Sequence, residues 1–302
     1  MIAPVLTEAS PQQQKRFRRI HRLAAVVYWA IHASCLLAFF VEPTPLALTL
    51  CVITLGTRMF AITAGYHRYF SHRTYRTSRA FQFLLALVGT MSIQKGPLWW
   101  AAGHRRHHQY SDLPGDMHSP REGFRYSHYG WIFDERWERT EIERVRDLAR
   151  FPELVWLNDW HAVPPLVLSV LIYLVAGWSG LVWGMAISTV LLWHSTYSIN
   201  SLAHVWGSRR YETTDTSRNN FFLALLTMGE GWHNNHHHFM SCARQGFFWW
   251  EVDFTYYVLR AFAAVGLVWD VREPPARVLN PAAAAAPREA EPREPVKLHA
   301  TT

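Results

Sequence analysis

The apolar residues of this chain fall into long blocks separated by strongly polar segments. A helix needs about 20 mostly apolar residues to cross a bilayer core at ~1.5 Å rise per residue. Four stretches approach that length: Leu23 to Val41, Pro45 to Tyr66, Val163 to Gly177 and Leu181 to Ile199. The third is the shortest and is expected to start earlier, near Trp160. Glu42-Pro43-Thr44 and Trp178-Ser179-Gly180 can do little more than turn the chain, so the pattern predicts two tight helical hairpins. Arg58 interrupts the second stretch and must face protein or snorkel. Ala80 to Ile93 is too short to cross, and Phe247 to Val268 is too mixed, with Glu251, Asp253 and Arg260 inside it. Both are expected as helices along the membrane face. From Glu273 the chain turns to Pro, Ala, Arg and Glu, a composition expected to remain structureless.

Composition refines this picture. Half of the 302 residues are hydrophobic and 18% are charged, which excludes a disordered or collagen-like chain. A mean hydropathy of -0.06 requires a substantial part of the chain to sit in water. Cys35, Cys51 and Cys242 show no CxxC spacing and suggest neither a disulfide framework nor a cysteine zinc site. The formal charge of +7 is concentrated in Lys15, Arg16, Arg18, Arg19 and Arg22 ahead of the first span and in the many Arg between Arg68 and Arg150. By the positive-inside rule both termini and the large middle segment are cytoplasmic. Topology and anionic membrane lipid thus account for the charge, and no nucleic-acid partner is expected. The first apolar run exceeds a signal-peptide core and lacks a small-residue cleavage site, so it is expected to be retained. The expected fold class is all-α integral membrane, with four transmembrane helices in two hairpins under a cytoplasmic helical cap. Its parts are a basic segment 1–22, a main domain 23–271 with spans near 23–41, 45–66, 160–177 and 181–199, cap segments 67–159 and 200–271, and a tail 272–302.

The candidate chemistry lies in the histidines, 17 in all. His67 and His72 stand in HRYFSH, His104, His107 and His108 in HRRHH, and His233, His236 and His237 in HNNHH. HxxHH places imidazoles at i, i+3 and i+4 on one helix face, where they can converge on one centre. His204 follows the fourth span, with Asn200 one turn before it. All three boxes fall on the side that the charge rule assigns to the cytoplasm. Eight or nine imidazoles exceed what one four-coordinate ion uses, so two metals are implied, while imidazole alone does not choose among Fe, Cu, Zn and Ni. Glu230 and His233 form a lone Glu-x-x-His pair where a carboxylate di-iron bundle needs two, so Glu230 is expected to support a ligand instead of being one. Asp112 and Asp116 are candidates for orienting ligand imidazoles. His21, His32, His128, His161, His194 and His299 are expected to be ordinary hydrogen-bonded histidines, and His238 a neighbour of the third box.

With HRYFSH, HRRHHQYSDLPGDMHSPREGFRYSHYGW, NSLAHVWG and TSRNNFFLALLTMGEGWHNNHHHF in this order, the chain resembles the membrane-bound fatty-acid desaturases over roughly residues 20 to 271. It is most similar to the group that places a double bond between carbons nine and ten of a saturated acyl chain. The resemblance implies two iron ions held by His67, His72, His104, His107, His108, His204, His233, His236 and His237, with Asn200 touching one iron through a water. It implies O2, membrane lipid and a fatty-acyl-CoA or acyl-lipid substrate as partners, with electrons from a separate ferredoxin or reductase-linked donor. Trp100 aligns with a tryptophan lining the kinked acyl tunnel, and Arg121 with a head-group contact. Ala102 and Gly103 stand where the animal acyl-CoA enzymes have an Arg-Asp pair that helps bind the CoA group. Asp116-Met117-His118 stands where they have Asp-Pro-His, and His118 is expected beside the ligands. Gly96 to Trp100 is closer to the bacterial members, which act on acyl-CoA or on acyl groups already in lipids.

Two other functions fit the histidines. A lipid hydroxylase would share the hydrogen abstraction and insert oxygen afterwards. A metal transporter or sensor would use the histidines as ion sites, but such sites lie near the bilayer midplane, whereas these boxes follow the span ends.

Overall fold

The computed structural model describes residues 11–279; the beginning of the basic segment and residues 280–302 of the tail lie outside it. Nine helices organise the functional part: α1 Pro11–Ser34, α2 Pro45–Phe60, α3 Arg79–Thr90, α4 Pro97–Tyr110, α5 Pro152–Asp159, α6 Val163–Ser179, α7 Ser188–Asn200, α8 His233–His238 and α9 Phe254–Ala264. One antiparallel pair, β1 Arg76–Thr77 with β2 Val268–Trp269, interrupts the helical architecture. The Lys15 to Arg22 run lies in the first half of α1, so the helix starts well before the apolar stretch.

Among the described residues three helical stretches are long and apolar enough to cross a membrane: Arg22–Phe39, Pro45–Ser71 and Val163–Val205. The third runs for 43 residues and joins the expected third and fourth spans. It is not straight. Gly177 breaks it at φ 58° and ψ -148°. A Cβ on Gly184 would sit 3.6 Å from Ile172 Cγ2, whereas twelve residues of straight helix separate two positions by ~18 Å. The chain therefore folds back at the expected turn, and Gly180–Ile187, a π-helical segment, leads into α7. The first arm starts at Val163 and not near Trp160, because Trp160 caps α5 and Pro164 and Pro165 fit only in a first helical turn.

The two turns meet at one end of the bundle. Ser179 Oγ donates to Glu42 O at 2.8 Å and accepts from Thr44 N at 3.1 Å, while Trp183 Nε1 donates to Val41 O at 3.0 Å. Arg58 faces protein and is 1% exposed. It donates to Thr54 O, Thr189 Oγ1 and Ser188 Oγ at 2.9, 2.8 and 2.6 Å, which ties it to both α2 and α7.

At the other end α2 continues in π-helical form from Ala61 to Ser71, every residue of it buried. The second helix thus carries His67 inside it, instead of ending at Tyr66. α3 starts at the Ser78 cap, whose side chain accepts from Phe81 N, and Asp253 caps α9 by accepting from Tyr256 N. Tyr66, Phe70, Leu85, Leu98, Leu148, Leu157 and Leu259 form a core that fixes the π segment, α3, α4, α5 and α9 against one another. The first residues of the expected structureless tail, 272–279, make ordered contacts. Ala243 N donates to Arg272 O at 2.7 Å, Tyr211 Oη donates to Val278 O at 3.0 Å, and Val278 is buried against Tyr211, Cys242 and Phe247. Residues 272–279 are held by an apolar contact that a Pro- and Arg-rich composition conceals.

Candidate metal centre

The nine box and post-span histidines converge into two groups. Ring nitrogens of His67, His72, His104, His108 and His236 all lie within 4.8 Å of one another, and so do those of His107, His204, His233 and His237. Local backbone geometry explains how each box contributes. In the π segment His72 N donates to His67 O across five residues, which turns both imidazoles to one side with ring centroids 5.0 Å apart. α4 presents His104 and His108 to the first group and His107 to the second, and α8 does the same with His236 against His233 and His237. The turn before α8 requires two glycines: Gly229 has φ +123°, and a Cβ on Gly231 would lie 2.1 Å from Ala224 N.

The imidazoles face each other through the same nitrogen. Nε2 to Nε2 separations are 3.0 Å for His67 and His236, 2.8 Å for His72 and His104, 3.0 Å for His104 and His108, and 3.1 Å for His204 and His233. Nitrogens so clustered cannot all donate to one another, and their lone pairs crowd together with no counter-charge among them; a cation at each centre resolves both problems. In His107, His237, His204 and His67 the opposite nitrogen is pinned. His107 Nδ1 lies 2.9 Å from Asp116 Oδ1, His237 Nδ1 2.6 Å from Asp215 Oδ2, and His204 Nδ1 3.1 Å from Thr216 Oγ1 and 3.4 Å from Asp112 Oδ1. His67 Nδ1 contacts the Glu230 carboxylate and lies 3.3 Å from Gln245 Nε2. An Nδ1 proton given to a carboxylate leaves the Nε2 lone pair free for a metal. Two groups of histidine ligands therefore fit two metal ions.

Electrostatics favours neutral rings. Burial first, and then the neighbouring imidazoles, hold His72, His104, His108, His233 and His236 well below the usual histidine range. Burial lowers His237 to about 4 even though Asp215 pulls the other way. His107 is also fully buried, but Asp116 outweighs that penalty and holds it above the ordinary value. Asp112 is buried, yet its bonds from His204 and Thr216 bring it down to about 2, and His107 holds Asp116 lower still.

Asn200, at the end of α7, lines two small cavities with His104 and His118. His118 is buried with its ring 4.3 Å from that of His107. Glu230 accepts from Arg68, whose Nη1 also donates to both Asp253 oxygens at 2.9 and 3.1 Å. Trp100 stacks on His104 with centroids 5.1 Å apart and 19° between planes. Arg121 lies exposed on the turn Pro120–Glu122 and is not among the residues lining the cavities described here. His238 stacks on Tyr211 at 4.0 Å, away from both groups. Of the histidines expected to be ordinary, His32, His194 and His128 form a chain of 3.1 and 2.9 Å contacts ending on Ser201 Oγ. Asp215, Thr216 and Gln245 sit in loops whose sequence carries no spacing signal. Arg68 could have been singled out, since it lies inside the first box.

Largely apolar cavities lie beside the histidine groups. A cavity of about 490 Å³ between α1, α6 and α7 adjoins two smaller ones of about 50 and 60 Å³, the last lined by His67, His104, His107 and His233. Trp100 lines all three. Its Nε1 donates to Gln94 Oε1 at 3.3 Å, and Gln94 Nε2 donates to Thr196 Oγ1 at 3.0 Å, so a hydrogen-bonded bridge fixes the indole beside the rings.

The fatty acid desaturase family model matches residues 43–271, which contain both histidine groups and the bridge. The chain belongs to the fatty acid desaturase family. It is 39% identical over 268 residues to Delta-9 acyl-lipid desaturase 1 of Arabidopsis thaliana, covering 86% of each chain. It is 36% identical to the sn-2 palmitoyl-lipid 9-desaturase of Nostoc sp. (strain 36), over 71% of this chain and 77% of that one. To icosanoyl-CoA 5-desaturase of Limnanthes douglasii it is 36% identical, over 83% of this chain and 72% of that one. This desaturase is accordingly an oxidoreductase that acts on fatty-acyl chains.

Proposed function

We propose that this chain uses O2 and a histidine-held pair of irons to place a cis double bond between carbons 9 and 10 of a saturated acyl chain. The observation that carries this reading is the set of apolar cavities sharing Trp100 beside two groups of Nε2 atoms. Iron at His67, His72, His104, His108 and His236, and at His107, His204, His233 and His237, would supply the strong oxidant that an unactivated methylene requires. The chain's own residues do the rest. Asp116, Asp215, Thr216 and Glu230 hold the ligand tautomers. Trp100, Gln94 and Thr196 set the bend that brings one pair of methylenes to the rings, and Asn200 offers an amide beside them. The apolar lining excludes water from the reacting segment. The fold-back at Gly177 supports four spans with both termini on the basic, histidine-bearing side. Electrons are expected from a separate donor protein. Metal analysis of the purified protein tests the centre: two irons per chain are expected, and one metal per chain or a purely zinc protein contradicts it. The related hydroxylase chemistry would appear as hydroxylated acyl products.

A further inference from the structure

A groove of about 530 Å³ lies over the β1–β2 pair, and Arg73, Arg76, Arg272, Asp270 and Trp269 are in its lining. Its hydroxyl groups are already engaged: Tyr69 Oη donates to Gln82 Oε1 and Tyr75 Oη to Ala64 O, both at 2.9 Å, and Thr77 Oγ1 donates to Leu267 O at 2.7 Å. The guanidiniums keep free donors. Arg73 gives Nε and Nη2 to Asp147, Arg76 meets Asp270 through Nε at 3.3 Å, and Arg272 Nη2 donates to the backbone oxygens of His72 and Arg73. Among the described residues Arg272 pairs with no carboxylate. Asp147 also holds Arg105, so Arg73, Arg76, Arg105 and Arg272 face only Asp147 and Asp270, and two positive charges remain. The pairs next along the chain, Arg79 with Glu153 and Arg260 with Glu273, are balanced. One edge of the groove is apolar: Val265, Leu267 and Trp269, which lead from α9 into β2, are 72%, 42% and 44% exposed. Leu84 of α3 and Tyr257 of α9 are exposed as well. Arginines beside outward-facing aliphatic and aromatic groups are what the boundary between hydrocarbon and head groups selects.

We infer that this groove binds the phosphate of an anionic membrane phospholipid, gripped by Arg73, Arg76 and Arg272, with the lipid's acyl chains along Leu267 and Trp269. This rests on the membrane topology proposed above and not on the reaction. Guanidinium offers phosphate a planar fork of donors, and the unbalanced positive charge favours an anionic head group over a zwitterionic one, which brings its own cation to the same arginines. The site also touches the metal centre: Arg272 Nη2 donates to His72 O at 3.3 Å, so a bound phosphate braces the loop that carries this ligand.

The test needs no turnover. Full-length protein in micelles of a neutral detergent is titrated with phosphatidylglycerol, and retained lipid is counted by native mass spectrometry. One phosphatidylglycerol per chain is expected to bind roughly tenfold or more tightly than phosphatidylcholine. Arg76→Gln and, separately, Arg272→Gln should each weaken it by roughly tenfold, since each removes a charged donor. Arg139→Gln, at an exposed arginine outside the groove lining that pairs with Glu143, should leave it unchanged. Neither inorganic phosphate nor polyglutamate is expected to displace the lipid. Displacement by phosphate would make the groove a free-anion site, and displacement by polyglutamate would assign it to an acidic protein partner. Either result, equal retention of phosphatidylcholine, or unchanged binding in both folded variants would overturn the inference. A chain that stays monodisperse without detergent is a different failure, since it sinks the membrane topology itself.

Discussion

Asp215→Asn separates a ligand-positioning role from general loop stability. Asp215 Oδ2 lies 2.6 Å from His237 Nδ1, and Asp215 Oδ1 also accepts from Ser217 N at 3.0 Å and Thr213 Oγ1 at 2.9 Å. An amide keeps one acceptor oxygen, so the loop can retain its Ser217 and Thr213 bonds through it while the charge facing His237 is lost. The other nitrogen can then take the proton, and the tautomer with Nε2 protonated cannot ligate. Removing a partner of this kind costs about 10–100-fold in metal affinity, or about 1.4–2.7 kcal/mol. Only one ion should be affected, because His237 belongs to the His107, His204 and His233 group. Chelator competition followed by metal analysis should show one of two metal equivalents leaving earlier, with thermal stability of the metal-free protein little changed. Two equivalents lost together, or retention equal to the parent, would rule out a positioning role for Asp215.

Other consequences are open to direct measurement. Arg68→Met leaves Glu230 and Asp253 buried without their guanidinium and should destabilise the fold by about 3–5 kcal/mol in denaturant titration. Trp100→Ala removes the indole between the cavities, and mass-spectrometric double-bond location should show shifted or mixed positions; an unchanged product would remove Trp100 from the bend. The metal-free protein should lose stability on acidification from about 6.5 to about 4. In that interval His237 remains neutral when folded but takes up a proton when unfolded, and below about 4 its contribution levels off.

Much of this was legible in the sequence for physical reasons. HxxHH spacing makes a helix face regardless of tertiary context, so α4 and α8 could be placed from His104, His107, His108, His233, His236 and His237 alone. The turn at Trp178 to Gly180 was visible as a tiny connector between two apolar runs, and Gly177 executes it. The partition of the nine histidines between two groups was not visible, because it depends on how α4 and α8 face each other. Asp215 and Gln245 were hidden for the same reason: they meet His237 and His67 only through loop closure. The π form of Ala61–Ser71 carries no compositional mark, and it moved the first box from beyond the helix into it.

The central claim is that the two histidine groups serve acyl desaturation. Its most direct test is fatty-acid methyl ester analysis of a desaturase-deficient host expressing this chain beside its His104→Ala variant. A new carbon-nine double bond is expected that disappears in the variant. Unaltered lipids despite folded, iron-loaded protein and a supplied electron donor would contradict it.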